Sequence, residues 1–344
     1  MKAIGVYQYQ PTDSPDCFAE VELDKPYPTG KDLLVRIKAV SVNPVDYKVR
    51  SSVKQILEVP RILGWDAAGV VEQIGEDVSL FQVGDEVYYA GSITRPGSNS
   101  EFQLVDERIV GRKPSSFSFE EAAALPLTTI TAWEALFERL GIEPQKTIKN
   151  QQSTVLIIAG AGGVGSIAIQ LAKQVAGLQV VATASRTESI AWCTYLGADY
   201  CINHHESFSS ELQKLNINEV DYILCFSETD QHFSNMAEVI KPQGKICSIV
   251  ENKEPLDMNL LKNKSAAFAW EFMFTKSMYE TEDIQSQHDL LDHVADLVDK
   301  GVIKMTLTET LGPLTPENLA KAHAQLESGK TIGKIVLSGF ETPI

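Results

Sequence analysis

The residues with the clearest chemical meaning form a glycine-rich run, GAGGVG, at positions 160–165. The run follows an apolar, strand-like string (TVLIIA, 154–159) and precedes an amphipathic helical pattern. In this context the first glycine allows a tight turn, the second lets a pyrophosphate approach the backbone, and the third lets the helix pack on the strand. The N–H groups and positive dipole end of the helix would bind the phosphates. The sequence therefore predicts that a dinucleotide is bound by Gly160, Gly162, Gly163, Val164 and Gly165.

The end of the next predicted strand distinguishes between the two nicotinamide cofactors. In an NAD site, an acidic residue about 20 positions after the glycines accepts hydrogen bonds from the ribose hydroxyls. Ser185 and Arg186 stand at that place in this chain. A carboxylate would repel a 2′-phosphate, whereas an arginine can form a bidentate pair with it. We therefore predict NADPH as the cofactor, bound in part by these two residues; the alternative is that Arg186 is only a solvated charge in the first turn of the next helix.

Two kinds of sequence pattern predict the strands and helices that position these residues. Up to about residue 125, short alternating runs such as LLVRIKAVSV and GDEVYYAG indicate an antiparallel β domain. After Pro126, apolar strands alternate with helical segments, which predicts βαβ units and a parallel sheet with helices on both faces. A helical pattern from Ile284 to Lys300, a helix beginning at Thr315-Pro316 and a strand KIVLSG follow. The predicted fold class is α/β, with a C-terminal segment that returns to the first domain.

Composition narrows the classes of function. The 344 residues are 44% hydrophobic and 22% charged, which is typical of a chain with a full core and excludes a disordered protein. A net charge of -16 disfavours nucleic acid as a partner. No apolar run reaches the ~20 residues of a membrane span, and the N-terminus lacks a signal-peptide pattern. Five widely spaced cysteines indicate reduced core thiols. We expect a cytoplasmic protein without a membrane partner.

Five motifs resemble those of the medium-chain dehydrogenase/reductase superfamily, close to its quinone oxidoreductases and its zinc-type alcohol dehydrogenase-like branch. They are SVNPVD (41–46), LGWDAAG (63–69), LPLT (125–128), the glycine run, and SGKTIGK (328–334). The resemblance spans nearly the whole chain. It implies a GroES-like catalytic domain at 1–126, a doubly wound Rossmann NADP-binding domain at 127–276, and a return of 277–344 to the catalytic domain. It further implies that Thr128 lines a substrate pocket, that Lys334 contacts the cofactor, and that the chain forms a homodimer.

The residues that hold catalytic zinc in that superfamily are absent. Zinc members use a cysteine in the first motif and a His-Glu pair in the second, where this chain has Asn43 and Trp65-Asp66. Zinc needs three nitrogen, sulfur or carboxylate ligands in tetrahedral reach, and the β domain offers only Cys17 and scattered acids. The histidine pair that begins at His204 follows a strand, so its two side chains point in opposite directions. We predict that the chain holds no metal.

The chemistry that remains is hydride transfer to carbon. Without a Lewis acid an alcohol is difficult to deprotonate, whereas reduction of a conjugated double bond requires only hydrogen-bond donors for the enolate oxygen. The resemblance places Asn43, Tyr47 and Trp65 at the nicotinamide. We predict Asn43 and Tyr47 as catalytic donors, with Tyr47 or water as the proton source, and Trp65 as a pocket wall. Ordinary packing is the alternative for all three.

An aromatic string, FAWEFMF (268–274), follows the last glycine-led strand. Its Trp270 and Phe272 either line a pocket for a flat apolar substrate or lie at a dimer edge. The predicted function is NADPH-dependent hydride transfer to a quinone or an α,β-unsaturated carbonyl, a small apolar substrate, without zinc. The alternatives are an alcohol or aldehyde dehydrogenase of the zinc-type family and a non-catalytic, crystallin-like NADPH-binding protein.

Overall fold

The computed structural model describes residues 1–340, which divide between two units. The first unit consists of Met1–Ile130, Phe274–Gly301 and the described residues from Met305 onward. The second unit consists of Thr131–Met273 and Val302–Lys304. The second unit is thus inserted within the sequence of the first.

The described part of the chain contains strands β1 (Lys2–Val6), β2 (Ala19–Glu22), β3 (Asp32–Ser41), β4 (Arg61–Ile62), β5 (Ala67–Ile74), β6 (Glu86–Tyr89), β7 (Phe102–Asp106), β8 (Val110–Arg112), β9 (Thr154–Ile158), β10 (Gln179–Thr183), β11 (Tyr200–Ile202), β12 (Val220–Cys225), β13 (Ile240–Ser248), β14 (Ala267–Trp270), β15 (Leu307–Pro313) and β16 (Lys334–Ser338). Its α-helices are α1 (Pro44–Ser52), α2 (Phe119–Ala123), α3 (Pro126–Trp133), α4 (Ile148–Gln151), α5 (Gly163–Gln170), α6 (Thr187–Leu196), α7 (Phe208–Lys214), α8 (Thr229–Val239), α9 (Asn259–Lys262), α10 (Thr275–Tyr279), α11 (Ser286–Asp299) and α12 (Pro316–Glu327). Shorter helical segments are the 3₁₀ turn Glu107–Ile109 and the π-helical stretches Glu134–Arg139 and Leu171–Ala176. Within residues 1–340, no helix has the length and apolar character that crossing a bilayer requires.

The first unit is built around the long strand β3. This strand pairs antiparallel with β5, β7 and β16 in a seven-stranded sheet, and β1 forms a smaller sheet with β2 and β4. In β3 the buried side chains alternate with exposed Arg36 and Lys38, as expected for a strand with one buried face. The pairing of β16 with β3, with Val336 opposite Ser41, joins the C-terminal segment to this domain.

The second unit contains a six-stranded parallel sheet in the order β11-β10-β9-β12-β13-β14. Relative to chain order this is 3-2-1-4-5-6, the strand order of a doubly wound dinucleotide-binding fold. Every residue of β9 is buried, because helices cover both faces of a parallel sheet. The α/β class and the Rossmann-type sheet predicted from the sequence are therefore confirmed.

Helix boundaries follow the expected capping chemistry at the C-terminal helix. The Thr315 side chain accepts a hydrogen bond from the Asn318 N–H at 3.2 Å, and Pro316 occupies the first helical position. The predicted start of α12 is therefore confirmed. The helix predicted from Ile284 to Lys300 is shorter, since α11 covers Ser286–Asp299.

Candidate active site

The dinucleotide turn connects β9 to α5. Ala159 follows the strand with a left-handed φ of 63°, an unusual conformation for a residue with a Cβ atom, and Gly162 caps the helix that begins at Gly163. The first N–H groups of a helix lack partners within the helix. Residues 162–164 are half-buried, so this helix end is accessible from solvent. The turn therefore presents backbone donors and a positive dipole end to an anionic ligand.

The glycines of the turn are needed for two different reasons, internal packing and space for a ligand. A Cβ atom on Gly165 would lie 2.4 Å from the Ala159 carbonyl oxygen, and one on Gly160 would lie 2.7 Å from the Ala182 Cβ, so internal packing requires both glycines. A Cβ atom on Gly162 would meet only the Ala159 oxygen, at an ordinary 3.5 Å. The fold itself would tolerate a side chain at this position, and its absence leaves space for a ligand. This pattern fits a bound pyrophosphate.

The ends of the next two strands of the sheet, β10 and β11, carry Ser185, Arg186 and His204. Ser185 and Arg186 are exposed beyond β10, and the Arg186 N–H donates to Ser189 Oγ at 3.1 Å, where α6 begins. His204 follows the neighbouring strand β11, and parallel strands end at the same edge of a sheet. Burial lowers the pKa of His204, and the charges of His205 and Arg186 lower it further. Arg186 and His204 therefore lie within electrostatic range of each other at the edge where an adenosine would bind.

A buried polar network lies at the SVNPVD and LGWDAAG motifs of the first unit, with Asp66 at its centre. One carboxylate oxygen accepts a hydrogen bond from the Leu127 N–H at 2.8 Å. The other accepts from Asn43 Nδ2 at 2.9 Å and from Lys334 Nζ at 3.0 Å. Burial raises the pKa of Asp66, whereas the Lys334 charge and the hydrogen bonds lower it. The network ties four distant chain segments together, around positions 43, 66, 127 and 334. The sequence analysis considers Asp66 only as a residue at a zinc-ligand position of the superfamily, and no local pattern indicated this network.

Lys334, a predicted cofactor contact, is hydrogen-bonded within the protein. Its side chain is only 3% exposed, and its ammonium group donates to the Val42 carbonyl at 3.0 Å, to Asn43 Oδ1 and to Asp66. An ammonium group has three hydrogens, and each has a protein acceptor. These bonds hold the ammonium group within the protein, and the contact of Lys334 with the cofactor stays a prediction.

Asn43 is also engaged within the protein. Its amide nitrogen donates to Asp66 and its amide oxygen accepts from Lys334, while its backbone N–H donates to Asp46 Oδ2 at 2.6 Å. The side chain is buried and bonded within the network, and the role of Asn43 as a donor to substrate stays a prediction. Burial raises the pKa of Asp46 to about 7. Tyr47, the next residue on α1, is half-buried.

The structure places Trp65 and Thr128 in the core of the first unit. The Trp65 indole N–H donates to the Ser92 carbonyl at 3.1 Å, and the ring packs edge-on against Phe274. The Thr128 hydroxyl donates to the Leu125 carbonyl at 3.0 Å. Both side chains are buried. Because their donors are used by backbone carbonyls, neither offers that donor to a ligand.

Trp270 and Phe272 occupy a different environment. Trp270 ends β14, the edge strand of the parallel sheet, and packs edge-on against Phe268. Their exposed fractions are 45% for Trp270 and 46% for Phe272, which is high for large aromatic residues. These two predicted pocket residues are therefore exposed aromatic side chains of the second unit.

The residues at the superfamily's zinc positions do not fit a zinc ion. An asparagine and a tryptophan replace thiolate and imidazole ligands, and the Lys334 ammonium contacts the carboxylate that remains at Asp66. Across residues 1–340, no three histidine, cysteine, aspartate or glutamate side chains are grouped so that they could hold a metal.

Comparison with known proteins identifies close relatives over the full length of the chain. Residues 29–127 match the family model described as alcohol dehydrogenase GroES-like domain, and residues 196–337 match the one described as zinc-binding dehydrogenase. A "zinc-type alcohol dehydrogenase-like protein" of Staphylococcus epidermidis is 43% identical over 98% of this chain and 99% of its own. A solved structure from Rhizobium etli, named as a proposed zinc-dependent alcohol dehydrogenase, is 46% identical with a TM-score of 0.94 and 99% of both chains covered. An "NADPH-dependent alkenal/one oxidoreductase, chloroplastic" of Arabidopsis thaliana is 29% identical over 89% of this chain and 71% of its own.

Proposed function

Because the chain belongs to the medium-chain dehydrogenase/reductase superfamily of oxidoreductases, we propose that it uses NADPH to reduce quinones or α,β-unsaturated carbonyl compounds without zinc. The observation that carries the proposal is the network at the catalytic motifs, where Lys334 contacts Asp66 and Asn43 in place of a metal. The name of the Arabidopsis relative supports both the cofactor and the substrate class. Consumption of NADPH with an enone or a quinone, but not with a saturated aldehyde, is the direct assay.

The proposed chemistry requires one donor at the carbonyl oxygen of the substrate. Bound NADPH supplies a hydride to the β carbon, and negative charge then develops on the conjugated oxygen. We assign the donor to the Tyr47 phenol, which is half-buried on α1. A hydrogen bond from Tyr47 stabilises the enolate, and the same group can deliver the proton that completes the reduction.

Asn43 and Asp46 act as positioning residues in this scheme. The Asn43 backbone N–H bonds to the Asp46 carboxylate in the capping box that begins α1. The Asn43 amide is itself held by Asp66 and Lys334. The first turn of α1, which carries Tyr47, is therefore fixed to the buried network at several points.

Neutral donors suit an enolate better than an alkoxide. The charge of an enolate is delocalised over oxygen and carbon, whereas the charge of an alkoxide resides on one oxygen and usually needs a metal or a strong base. A phenol without a metal therefore favours reduction of a conjugated double bond over oxidation of a simple alcohol. This chemistry argues against the alcohol dehydrogenase alternative.

We also propose that the chain forms a homodimer through β14. An edge strand leaves its outer N–H and C=O groups available for pairing with another chain. The exposed Trp270 and Phe272 lie at this edge, and aromatic side chains are enriched in protein interfaces. Their exposure favours a subunit interface over a pocket wall. We further propose that the protein is cytoplasmic. The net charge of -16 argues against a nucleic-acid partner.

Arg186→Ala is expected to weaken NADPH binding by about 5- to 150-fold, because a charge-assisted pair with the 2′-phosphate is worth about 1–3 kcal/mol. NADH lacks this phosphate, so its dissociation constant should change little. Fluorescence titration with both cofactors measures the two effects. Arg186→Lys, which keeps the charge but loses the planar fork, should give an intermediate loss.

Arg61→Ala is the matched control, since Arg61 is an exposed arginine of the first unit. It should leave both dissociation constants unchanged. Equal losses for NADPH and NADH in Arg186→Ala would show that Arg186 does not recognise the phosphate.

A further inference from the structure

Two cysteines lie side by side in the second unit. Cys193 is on α6 and Cys201 is on β11. The Cys201 thiol donates a hydrogen bond at 3.9 Å to the carbonyl oxygen of Ile190, one turn before Cys193 on the same helix. The two thiols therefore face each other across the contact between α6 and β11.

This thiol pair is next to the dinucleotide turn. The Cys193 sulfur lies 3.1 Å from the position that a Cβ atom on Gly160 would take, and the Ala182 Cβ lies 2.7 Å from the same position. Ala182 is in turn the register partner of Cys201 in the parallel sheet. Gly160 and the two thiols therefore share one side of the sheet, and a displacement of Cys193 would act directly on the turn.

The two thiols differ in exposure and in acidity. Cys201 is half-buried on the edge strand of the sheet, whereas Cys193 is buried. The interaction with the Cys193 thiol lowers the pKa of Cys201, and the same interaction, together with burial, raises the pKa of Cys193. A solute would thus reach Cys201 first, and its lowered pKa favours reaction as the thiolate.

We propose that Cys193 and Cys201 form a redox-active dithiol, which hydrogen peroxide converts to a disulfide that weakens dinucleotide binding. The Cys201 thiolate attacks the peroxide oxygen, so that an S–O bond forms, the O–O bond breaks and the displaced hydroxide takes a proton to become water. Cys193 then attacks the resulting sulfenic sulfur, forming the S–S bond and releasing a second water with the thiol proton. Two thiols lose two electrons, and the peroxide gains them.

The effect on binding follows from where the disulfide forms. A disulfide holds its sulfurs about 2.05 Å apart, so Cys193 must move toward Cys201 and away from its packing against Gly160. The movement also pulls on α6, whose first turn begins at Arg186. Both the glycine turn and the proposed phosphate ligand would shift. The effect on binding rests on the proposed NADPH site, whereas the cross-link itself does not.

The test treats the full-length reduced protein with a few equivalents of hydrogen peroxide and maps its disulfides by mass spectrometry of non-reduced peptides. We expect a Cys193–Cys201 cross-link, an NADPH dissociation constant raised by at least about 5-fold, roughly 1 kcal/mol, and recovery of binding with dithiothreitol. Cys201→Ser should bind NADPH as the reduced protein does and lose the response to peroxide. Cys193→Ser should stop at a Cys201 sulfenic acid, which a dimedone-type probe detects.

Cys225→Ser is the matched control. Burial raises the pKa of Cys225 to about 11, so the variant should keep the full peroxide response. The absence of the Cys193–Cys201 cross-link, or a cross-link that leaves the NADPH dissociation constant unchanged, would overturn the proposal. If the reduced protein bound no NADPH at all, the cofactor assignment and the effect on binding would both fail, while the peptide map would still decide whether the dithiol exists.

Discussion

Lys334→Met is expected to lower the free energy of unfolding by about 3–5 kcal/mol, the usual cost of leaving a buried ion pair with one partner. In the native protein Lys334 and Asp66 are 3% and 0% exposed and lie 3.0 Å apart. Methionine approximates the length of the lysine stem but removes the cation, so the Asp66 carboxylate would remain buried without its main counter-charge. Urea unfolding followed by circular dichroism measures the change.

Two further variants make the result interpretable. Lys300→Met removes an exposed lysine from a helical i, i+4 pair with Asp296 and should change stability by no more than about 0.5 kcal/mol. Asp66→Asn added to Lys334→Met should recover part of the loss, because the orphaned charge is removed as well. If Lys334→Met were as stable as Lys300→Met, the ion pair would not hold the network together.

Tyr47→Phe is expected to lower kcat for enone reduction by about 10- to 1000-fold, the range for loss of a general acid and oxyanion donor. The substitution removes only the hydroxyl, so the packing of α1 and the NADPH dissociation constant should be nearly unchanged. Steady-state kinetics with a soluble enone and a cofactor titration measure the two quantities separately.

Tyr27→Phe provides the control, because Tyr27 is 77% exposed in the same unit and should tolerate the change without an effect on kcat. An unchanged kcat in Tyr47→Phe would assign the donor to water or to another group. A rise in the NADPH dissociation constant without a change in kcat would instead make Tyr47 a binding residue.

Local sequence signals predicted the strand, the glycine turn and the helix of the Rossmann-type unit. The apolar strand, the glycine run and the following helix lie within about 20 contiguous residues, and each element has its own sequence pattern. The continuation of α5 as the π-helical stretch Leu171–Ala176 was not predicted, since its apolar periodicity resembles that of a regular helix. Local sequence patterns therefore predicted that these elements exist and in which order they follow. They did not predict the change of helix type at the end of α5.

The polar network could not be predicted in the same way. Asp66 and Lys334 are separated by 268 positions, and no local pattern relates them. The resemblance identified Asn43 and Trp65 as positions of interest, but whether their donors face a ligand depends on partners elsewhere in the chain. The Trp65 donor is used by the Ser92 carbonyl, and the Asn43 amide by Asp66 and Lys334.

The cysteines show the same limit of local reasoning. Their number and wide spacing indicated reduced core thiols, and the structure buries Cys17, Cys193, Cys225 and Cys247. Only the packing of α6 against β11 brings Cys193 to Cys201, which remains half-buried. The contact between α6 and β11 thus brings two thiols together as a candidate redox pair, and no local sequence pattern indicates that contact.

The central claim is that the protein transfers hydride to carbon of a conjugated double bond. The most direct test is reduction of a simple enone with NADPH carrying deuterium at C4, using the two C4 stereoisomers separately, and location of the label in the product by NMR. We expect that one stereoisomer places deuterium at the β carbon of a saturated ketone, and that ethanol-like alcohols are not oxidised. Deuterium at the carbinol carbon of an allylic alcohol, or efficient oxidation of simple alcohols, would contradict hydride transfer to the β carbon.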